Sequence, residues 1–437
     1  MPLTDRYGLT ISAASSHAAE RFQDGMDRLL AYSAGADDAF TAALADDPEL
    51  AVAHAGVAMI AAVHGDAAAA RAAVARARAT VHGATRRERQ HVEAVSAMIG
   101  GDAARGLALA AEHLAEFPRD ALLVNQASSA IGFLGAADRE AQRVAFVEGL
   151  APAYGDDWWF ESALAFTYHE VGRYAESRRL SEHSLAQYPG NANASHNLAH
   201  IAFETLETDS GAAFLAQWLE TYDRRASFHC HLAWHLAMFE LHRGRYARAL
   251  DVFERDILGA VNLRLALIDG AALLWRFRLD GQPEGRPGAW RSLADMADRV
   301  SRPGFVFGEI HAALAYAAAG DRAALDKLID GLRDLHAKGH PIAGTLAVPL
   351  VQGLAAFASG DHGAALRYLE PVAAEAHRIG GSHAQWELVE ETMVVSYLAL
   401  ERYDDALALV RRRLGRRASP RDRRWLEAAS TGLAARA

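Results

Sequence analysis

Residues 232–257, LAWHLAMFELHRGRYARALDVFERDI, contain the pattern that decides the fold. An apolar stretch with helical spacing runs up to the RGRY sequence at 243–246, and a second such stretch begins directly after it. A glycine at the end of a helix can adopt the left-handed backbone that stops the helix, and a short turn then returns the chain antiparallel. The segment therefore predicts a helical hairpin.

The same turn recurs along the chain. Similar sequences occur at 171–174, 319–321, 359–361 and 401–404, and residues 208–210 fall at the same interval without a glycine. Spacings of about 35 to 42 residues are typical of helical-hairpin repeats of the tetratricopeptide class. We therefore expect an all-α fold, an α-solenoid of tetratricopeptide-like hairpins that forms a right-handed superhelix with a concave groove.

The repeats predict one continuous domain over residues 1–437. Residues 151–437 contain the clearer repeats, whereas residues 1–150 are more divergent, with related turns at Gly65 and Gly101. Longer loops at 281–287 and 340–341 interrupt the pattern but lack the composition of a domain linker.

Composition and charge exclude several classes of function. The chain is 51% hydrophobic and 23% charged, with a formal net charge of -10, so nucleic acid is not an expected partner. The arginines at 411–413 and 416–417 are interpreted as a solvated helix end. Apolar stretches are too short to span a membrane, and the first residues do not resemble a secretory signal. We therefore expect a cytoplasmic protein.

Histidines are concentrated in two neighbouring repeats. His196 and His200 lie four residues apart on the helix expected at 192–206, and Glu204 follows four residues later, so all three are predicted to share one face. His231 and His235 repeat this spacing on the helix expected at 227–242.

The histidines also share a register with the turns. His200, His235 and His311 each lie nine residues before the turn of their hairpin. Equivalent positions of a solenoid line one continuous surface. Asp269 and Glu309 place carboxylates near the same ridge, so these residues are expected to form one site.

Two chemistries suit such a site. Two imidazoles four residues apart on a helix form a metal-binding platform, and added carboxylates would give a nitrogen and oxygen ligand set for Zn or Fe. Without metal, histidines and carboxylates can act as general acids and bases. A third interpretation is that the histidines only form hydrogen bonds between packed helices.

The sequence contains weaker candidates for ligand contacts. Trp234 is an aromatic residue suited to a groove wall. Ser382, His383 and Gln385 belong to GGSHAQ at 380–385, which opens a helix whose free amides could bind an anion, or which Ser382 simply caps. A phosphate-binding loop, a dinucleotide fingerprint and a nucleophile elbow are all missing from the sequence.

Several segments resemble the tetratricopeptide repeat protein 38 family over nearly the whole chain. They are TRRERQHVEAV at 85–95, HNLAH at 196–200, HLAWH at 231–235, IDGAALLWR at 268–276, EIH at 309–311, VPLVQ at 348–352 and GGSHAQ at 380–385. The resemblance implies an all-α repeat fold. It marks as family positions His196, His200, His231, His235, Asp269 and His311, with Gln352 among the ligand contacts. The chain departs from the family pattern at Glu309, His383 and residues 386–387.

These features lead to two functional hypotheses. The first is a small-molecule site in the concave groove, in which the histidines and Asp269 catalyse a hydrolytic or isomerising reaction as acid and base groups or as ligands of a divalent metal. The second is a scaffold that binds a protein or peptide partner, the common role of such repeats, with an architectural histidine network.

Overall fold

The predicted turns coincide with helix ends in the computed structural model. Gly244, Gly320 and Gly360 have positive φ angles of 70°, 73° and 83°. At the turn without glycine, Leu206 takes the left-handed conformation instead, with a φ of 63°. The structure describes residues 2–301 and 304–436, and these residues form twenty-four α-helices and no β-strand. The all-α prediction is confirmed.

One compact unit lies within Met1–Leu134, Asp138–Leu198 and Tyr222–His229. Its complete α-helices are α1 (Ser16–Leu30), α2 (Ala36–Asp46), α3 (Ala51–His64), α4 (Ala67–Ala79), α5 (Arg86–Ile99), α6 (Ala103–Glu116), α7 (Ala121–Phe133), α8 (Arg139–Tyr154), α9 (Trp158–Glu170) and α10 (Tyr174–Gln187). Consecutive helices pair as hairpins, α1 with α2, α3 with α4, α5 with α6 and α9 with α10.

The first unit is held together by an apolar core and by capped helices. The Phe40 ring is fully buried, and a side chain at Gly25 or Gly56 would come within 2.7 Å of it. Thr85 and Glu88 form a reciprocal capping box at the start of α5, which satisfies two amides that the helix leaves without partners. Small residues at the helix contacts thus allow the hairpins to pack closely.

The second unit lies within Gly135–Ala137, Ala199–Thr221 and Cys230–Ala437. The remaining helices are α11 (Ala192–Glu204), α12 (Thr208–Leu219), α13 (His229–His242), α14 (Tyr246–Val252), α15 (Leu263–Leu279), α16 (Ala289–Val300), α17 (Val306–Ala319), α18 (Arg322–Ala337), α19 (Val348–Ala358), α20 (His362–Leu369), α21 (His383–Trp386), α22 (Leu388–Ala399), α23 (Tyr403–Arg416) and α24 (Pro420–Ala434). α15 with α16, α19 with α20 and α23 with α24 pack as hairpins, and α17 packs on α15.

Large aromatic side chains form the core of the second unit. The Trp275 ring is fully buried and lies 5.4 Å from Phe357 and 6.4 Å from Trp290 between ring centroids. Its indole N–H donates to the hydroxyl of Thr392, as a buried tryptophan requires. Among the described residues, no helix is both long and apolar enough to cross a lipid bilayer.

Candidate metal centre

Four buried histidines converge in the structure, two on α11 and two on α13. His196, His200, His231 and His235 each offer one ring nitrogen, and these four nitrogens all lie within 4.8 Å of one another. We refer to these four residues as the histidine cluster. Each has an exposed fraction of 6% or less. Spacing of four residues on each helix places both imidazoles of a pair on one face, which is why the two pairs meet.

The rings of the histidine cluster pack edge to face. The His235 ring centroid lies 4.4 Å from that of His200 and 4.9 Å from that of His231, at interplanar angles of 68° and 81°. Trp234 stacks on His231 with an angle of 11° between the rings. Trp234, which the sequence suggested as part of a groove wall, is fully buried. Its stacking supports the orientation of the His231 ring.

Asp269 on α15 contacts the cluster through one histidine. His231 Nδ1 lies 3.0 and 3.1 Å from the two carboxylate oxygens of Asp269, which is fully buried. Burial raises the pKa of Asp269, and the adjacent His231 lowers it without cancelling the rise. With Nδ1–H donating to the carboxylate, Nε2 of His231 presents its lone pair.

The donor set fits a divalent transition metal. Imidazole nitrogens bind Zn and Fe at about 2.0–2.1 Å, which places tetrahedral ligands about 3.4 Å apart. Nitrogens already within 4.8 Å of one another need only small side-chain movements to reach that spacing. Metal-binding histidines usually donate their second N–H to a carboxylate, as His231 does to Asp269. Residues 196, 200, 231 and 235 are thus the ligand candidates, and Asp269 orients one of them.

Glu204 does not join the histidine cluster. Its Oε1 lies 2.9 Å from His383 Nδ1, and its Oε2 lies 3.8 Å from Arg417 Nε. Eight residues of α-helix correspond to a rotation of about 80° beyond two full turns, so Glu204 is offset by that angle from His196. The predicted shared face therefore includes the two histidines of α11 but not this carboxylate.

The structure favours the capping interpretation for residues 380–385. The Ser382 backbone N–H donates to Gln385 Oε1 at 3.0 Å, and the two residues form a capping box on the four-residue helix α21. Burial lowers the pKa of His383, but the hydrogen bond to Glu204 and the charge of Glu387 outweigh it, so the net pKa is raised. Predicted roles for Ser382, His383 and Gln385 in ligand binding stay predictions.

His311 and Glu309 on α17 lie outside the group of four convergent histidines. His311 Nδ1–H donates to the Phe307 carbonyl at 2.8 Å, and burial lowers its pKa to about 4. Burial raises the pKa of Glu309 to about 7, against a hydrogen bond from the Gly304 amide. Both side chains are buried, and His311 bonds within its own helix although its register matches that of His200 and His235.

Gln352 lies in a different part of the second unit. It lines a surface groove of about 460 Å³ together with residues of α18, α19 and α20, including Leu325, Ile329 and Tyr368. The lining of this groove contains none of the four histidines. The structure therefore does not bring Gln352 to the histidine cluster.

An ionic network around Glu387 was not expected from the sequence. Arg417 Nη2 lies 2.7 Å from both Glu387 oxygens, and Arg413 Nε lies 2.6 Å from Asp422 Oδ1. Both arginines are almost fully buried, so the interpretation of 411–413 and 416–417 as a solvated helix end is wrong for these two. The sequence feature that could have indicated this network is the set of acidic residues on the otherwise apolar helix α22.

Comparison with known proteins gives similarity of overall structure at low identity. No family model matches the chain. Human IFIT1 dimer with PPP-AAAA is similar at 14% identity and a TM-score of 0.41, covering 81% of this chain and 89% of that chain. The APC/C hetero-tetramer Cut9-Hcn1 has 12% identity, a TM-score of 0.37 and coverages of 86% and 76%. Yeast Tom70 has 13% identity, a TM-score of 0.33 and coverages of 96% and 96%.

Structural similarity with TM-scores below 0.5 does not indicate the function of this chain. Membership of the tetratricopeptide repeat protein 38 family stays a prediction. The class defined by the fold and the site is an all-α helical-hairpin protein with a buried cluster of four histidines.

Proposed function

We propose that this chain is a metal-binding helical-repeat protein whose histidine cluster holds one divalent transition-metal ion, Zn or Fe. The observation that carries the proposal is the convergence of four buried ring nitrogens within 4.8 Å. Imidazole nitrogens are common protein ligands of both ions. A single cation can accept the lone pairs of all four imidazoles at once.

The surrounding charges support a cation at this position. Neutral imidazoles carry no charge of their own, so a divalent ion would add two positive charges to a buried place. Asp269 lies behind His231 at 3.0 Å and supplies one compensating negative charge when ionised. Its raised pKa in the metal-free protein should fall when a cation binds nearby.

The proposed activity of the site is acid–base or metal-assisted hydrolysis or isomerisation of a small molecule. A bound divalent metal would supply Lewis-acid chemistry. His231 and Asp269 form a hydrogen-bonded pair that can hold a proton and orient the imidazole. The small-molecule ligand is proposed from this donor set alone.

Metal analysis of the purified full-length chain tests the proposal. We expect about one equivalent of Zn or Fe per chain after metal supply, and a rise in the melting temperature of metal-free protein on adding that ion. His200→Ala and His235→Ala should each abolish both effects. His17→Ala is the matched control because its side chain is 61% exposed and lies outside the histidine cluster.

The same measurements separate the alternatives. Wild-type protein that binds neither Zn nor Fe, and whose melting temperature neither ion raises, would overturn the metal proposal. If His200→Ala and His235→Ala then lowered the melting temperature, the histidine cluster would be an architectural network, consistent with a scaffold for a protein or peptide partner.

A further inference from the structure

The end of the α23–α24 hairpin presents a group of exposed arginines. Residues 406–419 contain five arginines and no acidic residue. The exposed arginines of residues 406–424 are Arg411, Arg412, Arg416, Arg423 and Arg424. We refer to these five residues as the arginine patch. α23 and α24 pack against each other as a hairpin. The last turn of α23 and the first turn of α24 therefore lie at the same end of this hairpin.

The arginine patch differs from those exposed arginines that pair with an acid on their own helix. Arg322 pairs with Asp326 at 3.2 Å, and Arg333 pairs with Asp330 at 3.0 Å. Such local pairs neutralise the surface and contribute little to stability. The nearest exposed acid in sequence is Glu427, four residues after Arg423, and Arg411 has none within five residues on either side.

The acids beneath the patch are already shared among several arginines. Glu390 contacts Arg412, Arg413 and Arg416. Asp280 accepts from Arg421 at 2.8 Å and lies 3.8 Å from Arg424. Because these acids are buried and divided among several guanidinium groups, the exposed surface keeps an excess of positive charge.

We propose that the arginine patch is a docking surface for an acidic polypeptide segment. Planar guanidinium groups bind carboxylates through paired hydrogen bonds and are favoured at protein interfaces. A long polyanion such as RNA would also meet the rest of a chain with a net charge of -10, whereas a short acidic segment would contact the patch alone. At ordinary ionic strength, salt screens charge interactions beyond about 10 Å. Acids farther than this from the arginine patch would therefore repel a bound acidic segment only weakly.

Peptide binding to the full-length chain tests this proposal. A fluorescein-labelled glutamate dodecapeptide is titrated with protein, and anisotropy is measured at about 50 mM and about 200 mM salt. We expect saturable binding that weakens as salt rises. Arg411→Glu combined with Arg423→Glu should weaken binding by about tenfold at the lower salt. Both side chains are exposed, so circular dichroism should show an unchanged fold; Arg411→Gln with Arg423→Gln replaces the pair if it does not.

The matched control is Arg71→Glu combined with Arg76→Glu on α4, which makes the same change in net charge at two exposed arginines. This control should bind the peptide within about twofold of wild type. Equal weakening in both double variants would overturn the proposal, as would no wild-type binding at about 1 mM protein. A uridine dodecamer bound as tightly as the peptide would also overturn it. Self-association that only the patch variant loses would assign the surface to a second copy of the chain and overturn it as well.

Discussion

Two groups of buried histidines are built in opposite ways. In the first unit, a carboxylate lies at the centre: Asp120 accepts from Arg87 Nε at 2.8 Å and lies 3.1 Å from one ring nitrogen each of His91 and His113. In the histidine cluster, the imidazoles lie at the centre and Asp269 lies outside them. A central anion is satisfied by donors of the protein itself, whereas central imidazoles suit an added cation.

The pKa shifts of the two carboxylates follow this difference. Burial raises the pKa of Asp120, but Arg87 and His91 outweigh it, so the net pKa lies well below its usual range. Burial also raises the pKa of Asp269, and His231 alone does not offset the rise. The number of cationic donors around a buried carboxylate therefore decides the direction. The Asp120 group has the features of a structural network, and the Asp269 group belongs to the proposed metal site.

The largest expected effect is the removal of the central anion. Asp120→Ala should lower the free energy of unfolding by about 3–5 kcal/mol, because a buried arginine and two buried histidines lose their acceptor. Denaturant unfolding measures the change. Asp66→Ala is the control, since the exposed Asp66 only caps α4 and its loss costs about 1 kcal/mol. Equal losses in the two variants would contradict a structural role for the Asp120 group.

Glu309 is a buried carboxyl without cationic donors, and its pKa is shifted in the opposite direction to that of Asp120. Its contribution to folding stability should therefore depend on pH in the opposite sense. The Glu309 pKa is raised from 4.5 to about 7 by burial, so between these values the folded state binds more protons than the unfolded state, and stability falls as pH rises. Glu309→Gln should match wild type at pH about 4 and be more stable by roughly 2–3 kcal/mol at pH about 8. Thermal or urea unfolding at both values measures this.

The control for this prediction is Glu401→Gln, whose side chain is 58% exposed. That variant should follow wild type at both pH values within about 0.5 kcal/mol. A Glu309→Gln variant that is less stable than wild type at the higher pH would show that the ionised carboxylate is needed at this position.

The smallest effect concerns the carboxylate outside the histidine cluster. Asp269→Asn keeps the shape of the side chain but removes its charge, and it should weaken metal affinity by about 10- to 100-fold while leaving the four ligands in place. Competition with a chelator measures the metal affinity. Unfolding of the metal-free variant shows whether the substitution also changes the stability of the fold. Unchanged affinity would place Asp269 in the architectural network instead of the metal site.

The turns were sufficient to predict the all-α fold and the convergence of His200 with His235. The register of nine residues before each turn matched His200 with His235, and their rings lie 4.4 Å apart. Asp269 was also expected near this ridge and contacts His231. His311 shares the register but belongs to α17, which packs on α15 and α19. Equivalent positions in a repeat converge only when their helices are neighbours.

Contacts between distant parts of the chain could not be predicted. Glu204 contacts His383, 179 residues away, and Arg421 contacts Asp280, 141 residues away. Helical periodicity describes which residues share a face, but it does not say which helix covers that face. Arg413 and Arg417 are buried against acids from other segments, above all Glu387 just before α22. The charge of residues 411–417 alone therefore wrongly suggested solvation of these two arginines.

Cys230, the single cysteine of the chain, lies between His229 and His231 on α13 and is 1% exposed. Burial raises the pKa of its thiol far above the usual range, so both access and thiolate formation are suppressed in the closed structure. A thiol reagent can therefore modify the native protein only when this helix opens locally. The labelling rate of Cys230 measures the opening of the helix that carries His231 and His235, without an engineered cysteine.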